Sequence, residues 1–359
     1  MLAPHDPPYG YNRALSSRLL IPARLGLEQK NFTVFVSMMR NIAKVAHYSV
    51  LLCTHRAVTP YLFDAVTTRP TIVHGDAHFE RTIVSALHIY RDMPPVDPRR
   101  LIEDLYYENG TPNTSRYTQA PAMTFATSTE QWFWTERQRR EIAPRFPEKA
   151  PRIEVLPPFI DCAAIDRVVR RSSPRYGRPL LFTTTSSAPS DVLRKGLSPL
   201  IVALERLPDV RLRVVLNDYR AVPAELSQLG SRVEVVAGVS KDEMLAIYAD
   251  LGANCRVSAE DTAPVSVLES MATGLPTIVS PLIAENILCI ADGVNAFVVP
   301  PTDINELANR LHLLYADSEA WTRMSTVAAL AVRKHSIAEN LARMRAYSAS
   351  QGDRPAATS

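Results

Sequence analysis

The chain sets short apolar runs against polar turns and longer stretches with a helical period. Over residues 25–46, Leu27, Val34, Met38, Ile42 and Val45 recur at helical spacing and predict an amphipathic helix. Short β-rich runs follow at 49–54, 70–74 and 123–127, each closed by a polar turn. The last of them is expected to stop at Ser128 and lead into a helix carrying Trp132 and Trp134. Residues 152–156 form one more short strand before Pro157 and Pro158, which cannot sit inside a helix and stiffen a crossover. The second half repeats the rhythm more clearly. Strands are expected at 179–183, 211–216, 232–236, 252–257 and 276–280, with helices at 197–207, 241–249, 265–273 and 304–316 between or after them. Asp242 and Asp303 stand at two helix starts, where a carboxylate caps free N–H groups.

Strands alternating with helices point to parallel sheets of the doubly wound kind, whose ligands bind at the carboxyl ends of the strands. With 359 residues there is room for two such units. The double proline places the boundary: 1–155 as one Rossmann-like domain, 156–340 as a second, and 341–359 as the end of a C-terminal helix with a frayed tail.

Composition narrows the function classes. Hydrophobic residues make up 46% and charged residues 21%, as in a folded globular protein. No run reaches the roughly 18 to 20 apolar residues of a membrane span. The N-terminus lacks the pattern of a secretion signal, so the cytoplasm is the expected compartment. A net charge of +3 is too mild for a nucleic-acid partner but tolerates acidic ones. The arginines of 137–140 and 167–171 could touch an anionic membrane face peripherally, although such runs more often form solvated helix surfaces. Cys53, Cys162, Cys255 and Cys289 are far apart, without ligand spacing, and are expected as buried thiols; neither a metal nor a cofactor is expected.

The densest chemistry lies in residues 258–276. A strand ends near Ser258 in an acidic loop, and Pro264 stands where a helix tolerates proline, at its start. Gly274 then stops the helix and Pro276 opens the next strand. Asp261 belongs to the loop, and Glu269 lies two turns along the helix. The loop and helix N-terminus at Thr262 and Ala263 offer backbone N–H groups to a diphosphate, and the later carboxylate suits ribose hydroxyls.

This segment resembles the acidic–x7–Glu signature of retaining glycosyltransferases with the GT-B fold, of the group 1 or family 4 type. There it usually reads Ser–x–x–Glu–Gly–Phe–Gly–x–x–x–x–Glu–Ala–Met–Ala–x–Gly–x–Pro. Here Glu269 to Pro276 keep the pattern closely, Asp261 replaces the first Glu, and Thr262–Ala263–Pro264 replace Gly–Phe–Gly. Arg194–Lys195–Gly196 is similar to the family's Lys–Gly motif, whose lysine meets the donor diphosphate. The strand–Gly segment around Gly238, with Tyr248, and the Asp292–Gly293–Val294–Asn295 and Pro301–Thr302–Asp303 elements fall in the family's order. Three departures stand out. The Gly–Arg that often precedes the Lys–Gly motif is missing, and residues 183–187 are Thr and Ser; Arg194 is expected to offset the lost charge. Glu285 is displaced from the register of the family's acidic residue, and the usual first strand and Gly-rich loop are not evident in residues 1–24.

The resemblance implies two Rossmann-like domains facing a cleft, with the donor bound by the second. It implies a metal-independent hexosyltransferase using a UDP- or GDP-linked nucleotide sugar and a sugar-containing acceptor, in polysaccharide or glycoconjugate synthesis. Arg194, Lys195, Asp261, Thr262, Ala263 and Glu269 are the implied donor-binding residues. His74, at a strand end as in the family, is implied to position the transferred sugar or the acceptor, with Asp76, His78 and His55 as competitors. A catalytically degenerate nucleotide-sugar-binding protein and a nucleotide-sugar epimerase are the alternatives. A nicotinamide enzyme is disfavoured because no GxGxxG follows a strand.

Overall fold

The computed structural model describes residues 51–54, 71–75, 107–108, 111–112, 130–145, 147, 153–169, 175–184, 189–259, 261 and 264–352. The helix expected at 25–46 and the strand expected at 123–127 lie outside them, as do Asp76, His78 and His55.

In the first half the described strands are β1 (Leu51–Thr54), β2 (Thr71–Gly75), β3 (Tyr107–Glu108), β4 (Thr111–Pro112), β5 (Glu130–Phe133) and β6 (Ile153–Val155). They form a parallel sheet in the order β1-β2-β5-β6, with β3 and β4 as a separate antiparallel pair. The expected helix through Trp132 and Trp134 is corrected: Trp132 sits in β5, opposite His74, and the helix begins only at Glu136. Its start is fixed by Thr135, whose side chain accepts from Gln138 N while Gln138 accepts from Thr135 N. Such a reciprocal cap satisfies two otherwise orphaned donors, and it outweighs the aromatic pattern upstream.

The second half holds β7 (Leu180–Thr184), β8 (Leu212–Leu216), β9 (Val233–Ala237), β10 (Ala253–Arg256), β11 (Thr277–Val279) and β12 (Phe297–Val298). All pairings are parallel, in the order β12-β11-β10-β7-β8-β9. Counted from β7, this is the doubly wound order in which the chain first grows one way and then restarts on the other side. The reversal falls between β7 and β10, where a crevice opens at the carboxyl ends of the strands.

Both faces of this sheet are covered, which is why its strands read as nearly continuous apolar runs. Alternate residues serve opposite faces. Leu180 and Phe182 join one core with Leu212, Val214, Leu200 and Leu307, while Leu181 and Val215 join the other with Tyr248, Leu268 and Met271. Helices Ser198–Glu205 and Ile304–Ala316 pack on the first face, and Lys241–Asp250 and Val265–Ala272 on the second. Asp303 caps its helix as expected, accepting from Glu306 N at 2.9 Å. At the Lys241–Asp250 helix the cap is Ser240, boxed with Glu243, and Asp242 merely lies in the first turn. Cys162, Cys255 and Cys289 are buried, and burial pushes the Cys255 thiol up to about 12.

The chain after the second sheet returns to the first. Ile160 bridges Ser336, and Arg343 donates to Val155 O at 3.0 Å. Arg140 and Arg137 of helix Glu136–Ile142 reach Glu285 at 2.5 and 3.7 Å, so their charge is partly spent within the protein. Among the described residues, no helix is long and apolar enough to cross a membrane.

Candidate functional site

The crevice between β7 and β10 is occupied by a side chain that the sequence did not single out. The two strands pair through Ala253–Leu180 and Asn254–Leu181. Beyond that, Arg256 at the end of β10 spans the gap. Its guanidinium donates to Thr183 O, lies 3.5 Å from Thr184 Oγ1, and stands 5.7 Å from the Phe182 ring centre. The same group grips Asp261, with Nη2 at 2.8 Å and Nε at 3.3 Å from Oδ2. Lys195 Nζ reaches the same carboxylate oxygen at 3.4 Å. Two cations thus converge on one carboxylate, all three side chains largely buried, at the carboxyl edge of the sheet. Burial alone would raise the Asp261 carboxyl, but Lys195 and Arg256 together hold it far below the usual carboxylate range.

Lys195 reaches this point because of its neighbour. Residues Leu193–Leu197 form a widened turn between the short helix Pro189–Val192 and the helix Ser198–Glu205. Gly196 takes φ +103° there, and a Cβ on it would stand 2.7–2.9 Å from the backbone of Val257. Glycine lets the turn rest directly on the chain leaving β10, which brings Lys195 alongside Asp261. Arg194 is buried on the same turn. At this edge Arg256, contributed from the neighbouring strand, adds a second guanidinium and is bonded to Thr183 itself.

Glu269 has a different setting. It lies on the inner side of helix Val265–Ala272, where Tyr248 shares its hydroxyl between Glu269 Oε2 and Ser266 O, each at 3.3 Å. Burial raises the Glu269 carboxyl above its ordinary value, against the pull of Lys241 and of the Tyr248 hydrogen bond. The helix is seated by Asn254, whose amide donates to Ser270 Oγ at 2.9 Å, and by Ser270 Oγ donating to Val267 O. Pro264 occupies the position before its first turn, as expected, with no side-chain cap. Thr262 and Ala263 lie outside the described residues.

Lys195 and Asp261 are thus brought into contact at the end of β10, and Glu269 stands apart from them on helix Val265–Ala272, beside Tyr248. His74 is in β2 of the first sheet, one residue before its end. The Asp292–Asn295 element proves to be a self-contained turn: Asn295 accepts from Ala291 N and donates to Cys289 O, and Asp292 accepts from Val298 N. Glu285 pairs with arginines of the first half, and its neighbour Asn286 donates to Asp261 O at 3.1 Å. Arg256 was hidden in the sequence because it reads as one polar residue in a strand. The one available signal was its spacing, five residues before Asp261 across a tight strand-to-loop turn.

Residues 181–317 match the family model described as glycosyl transferases group 1. An MMP alpha-(1->4)-mannosyltransferase of Mycolicibacterium hassiacum is 32% identical over 141 residues, 37% of this chain and 34% of the relative. The chain thus aligns with about a third of the length of that curated relative. Among solved structures, a sucrose-phosphate synthase from Thermosynechococcus elongatus superposes with a TM-score of 0.65 at 15% identity, over 90% of this chain and 79% of that one. HepE from Anabaena, in complex with UDP, gives 0.62 at 15% identity over 88% and 82%. The pneumococcal O-GlcNAc transferase GtfA, in complex with UDP and GlcNAc, gives 0.60 at 15% over 89% and 60%. The fold is α/β with parallel sheets, of the GT-B type. The matched segment begins in β7 and contains Lys195, Arg256, Asp261 and Glu269.

Proposed function

We propose that the protein is a glycosyltransferase that moves a hexose-type sugar from a UDP- or GDP-linked donor to a sugar-containing acceptor, with retention, in polysaccharide or glycoconjugate synthesis. The observation that carries this reading is the convergence of Lys195, Arg256 and Asp261 at the switch point of the second sheet, beside the start of helix Val265–Ala272. When the sugar–phosphate bond breaks, negative charge builds on the leaving diphosphate. Cations already fixed in a dry crevice stabilise that charge without reorganising, which is where such interactions gain most. Asp261 holds Arg256 and Lys195 in place for this task. The start of helix Val265–Ala272 adds its positive end, Thr262 and Ala263 are further proposed contacts of the diphosphate, and Arg194 adds charge from the Lys195 turn. Glu269, with Tyr248 beside it, accepts the ribose hydroxyls. His74, from the first sheet, positions the transferred sugar. Residues 1–155 form the acceptor side and 156–340 the donor side, and the protein works in the cytoplasm, with peripheral membrane contact where charge remains free.

One observation favours a second reading, a donor-binding protein without turnover: the Asp261 carboxylate is already occupied by two cations. Both readings predict binding and only the first predicts release of the sugar. A thermal-shift screen with nucleoside diphosphates and their sugars tests the shared part, since a ligand at one hundred times its Kd stabilises by about 2.7 kcal/mol. Donor hydrolysis or transfer to added glycan then separates the two. No shift with any nucleotide would sink both.

A further inference from the structure

We infer that Asn286 is the residue that recognises a hydroxyl group on the sugar of the bound donor; this rests on the donor-site reading above. Asn286 closes the short helix Pro281–Asn286 and is 5% exposed. Its orientation is fixed, because the atom facing Asp261 O at 3.1 Å must be the donating nitrogen. The amide oxygen therefore faces away from that carbonyl. Among the described residues, Asn286 Oδ1 meets no hydrogen-bond donor although it is buried. A buried acceptor without a partner costs free energy, and native proteins keep few of them. Here the unsatisfied oxygen belongs to the same amide that holds the main-chain oxygen of Asp261, the residue whose carboxylate meets Arg256 and Lys195.

The chemistry of the missing partner follows from the charges. Two cations against one carboxylate leave this corner positive, which disfavours an ammonium group as the donor. A neutral hydroxyl fits. With the diphosphate held by Lys195 and Arg256 and the ribose hydroxyls by Glu269, the hydroxyls left for Asn286 belong to the transferred sugar. The position of Asn286 is also built rather than incidental. Its neighbour Glu285 is anchored by Arg140 at 2.5 Å and Arg137 at 3.7 Å, so the helix is tied to the first half on one side and to the acidic loop on the other. A site that hydrogen-bonds a substrate hydroxyl discriminates strongly against the analogue lacking it, because its own polar group is then left unpaired.

The test uses calorimetric titration of the full chain with UDP, GDP, their hexose derivatives, and monodeoxy forms of whichever derivative binds. Asn286→Ala should leave the nucleoside diphosphate within about twofold and weaken the nucleotide sugar about tenfold, the scale of one lost hydrogen bond to a buried group. One monodeoxy donor should lose about as much on the wild type and nothing further on the variant. Asn286→Ser gives the same readout if the alanine variant does not fold. Equal loss on nucleoside diphosphate and nucleotide sugar would overturn the inference, leaving Asn286 as a prop for the Asp261 loop. No loss on either would also overturn it and assign the oxygen to a buried water. A wild type that binds no nucleotide overturns the donor reading itself, and this inference with it.

Discussion

Asp261 and Glu269 are carboxylates eight residues apart, one in the loop after β10 and one on the helix that follows, and the protein drives them in opposite directions. Asp261 is held ionised by Lys195 and Arg256 against the cost of its own burial. Glu269 is pushed up by burial, with only a tyrosine hydroxyl and a more distant Lys241 in opposition. The same functional group is therefore held in two different states. One is a fixed negative post around which two cations are organised; the other is a half-buried acid beside a tyrosine hydroxyl, proposed above to meet ribose. A spacing rule treats the pair as a single motif, but the surroundings make them different groups.

The comparison breaks most visibly at Arg256. Arg256→Met removes a buried partner of Asp261 and should destabilise the fold by about 3 to 5 kcal/mol, read from the shift of the denaturation midpoint. Adding Asp261→Ser should recover only part of that loss, since the half-paired carboxylate is gone but Lys195 then loses the same partner. If Arg256→Met were as stable as the wild type, Asp261 would not depend on Arg256. A smaller loss is expected for Gly196→Ala, about 1 to 3 kcal/mol, because the new methyl group meets the Val257 backbone at a positive φ. The same substitution should displace Lys195 and weaken nucleoside diphosphate binding, so a variant unchanged in both respects would remove the glycine from the account.

The smallest effect contrasts the two carboxyls by pH. Asp261 has a lowered value when folded, so its contribution is present above the unfolded value of about 3.9 and is lost as pH falls toward the folded one. Glu269 has a raised value, so its charged form costs stability at neutral pH, and that cost vanishes as pH falls below about 4.3. Glu269→Gln should therefore be slightly more stable than the wild type at pH 7 and equal to it near pH 4. Denaturation curves at the two pH values check this, and a constant difference would contradict it.

Much of the second sheet was legible because its strands are apolar on both faces and its helices carry a clear period. Leu307, Leu311 and Leu314 announce one such helix, and the predicted bounds 304–316 match Ile304–Ala316. Lys195 and Glu269 were also readable, since a motif fixes their places relative to glycines. Arg256 was not, because its partners Asp261, Thr183 and Phe182 lie on separate segments that only the strand order brings together. Helix Ser318–Ala331 was missed for another reason: its buried face is reduced to Trp321, Met324 and Ala328, too thin to stand out from its exposed Val327 and Leu330. In the first half, β5 was hidden because Glu130 and Gln131 break the apolar pattern while the Thr135 cap, a local signal, starts the helix after it.

If the second sheet binds a nucleoside diphosphate, Lys195 and Glu269 must both contribute to its affinity. Isothermal titration of UDP and GDP into the wild type, Lys195→Ala and Glu269→Ala tests it most directly. The wild type should bind, and each variant should lose about 1 to 3 kcal/mol, the range for a hydrogen bond to a charged group. Unchanged affinity in both variants would contradict it.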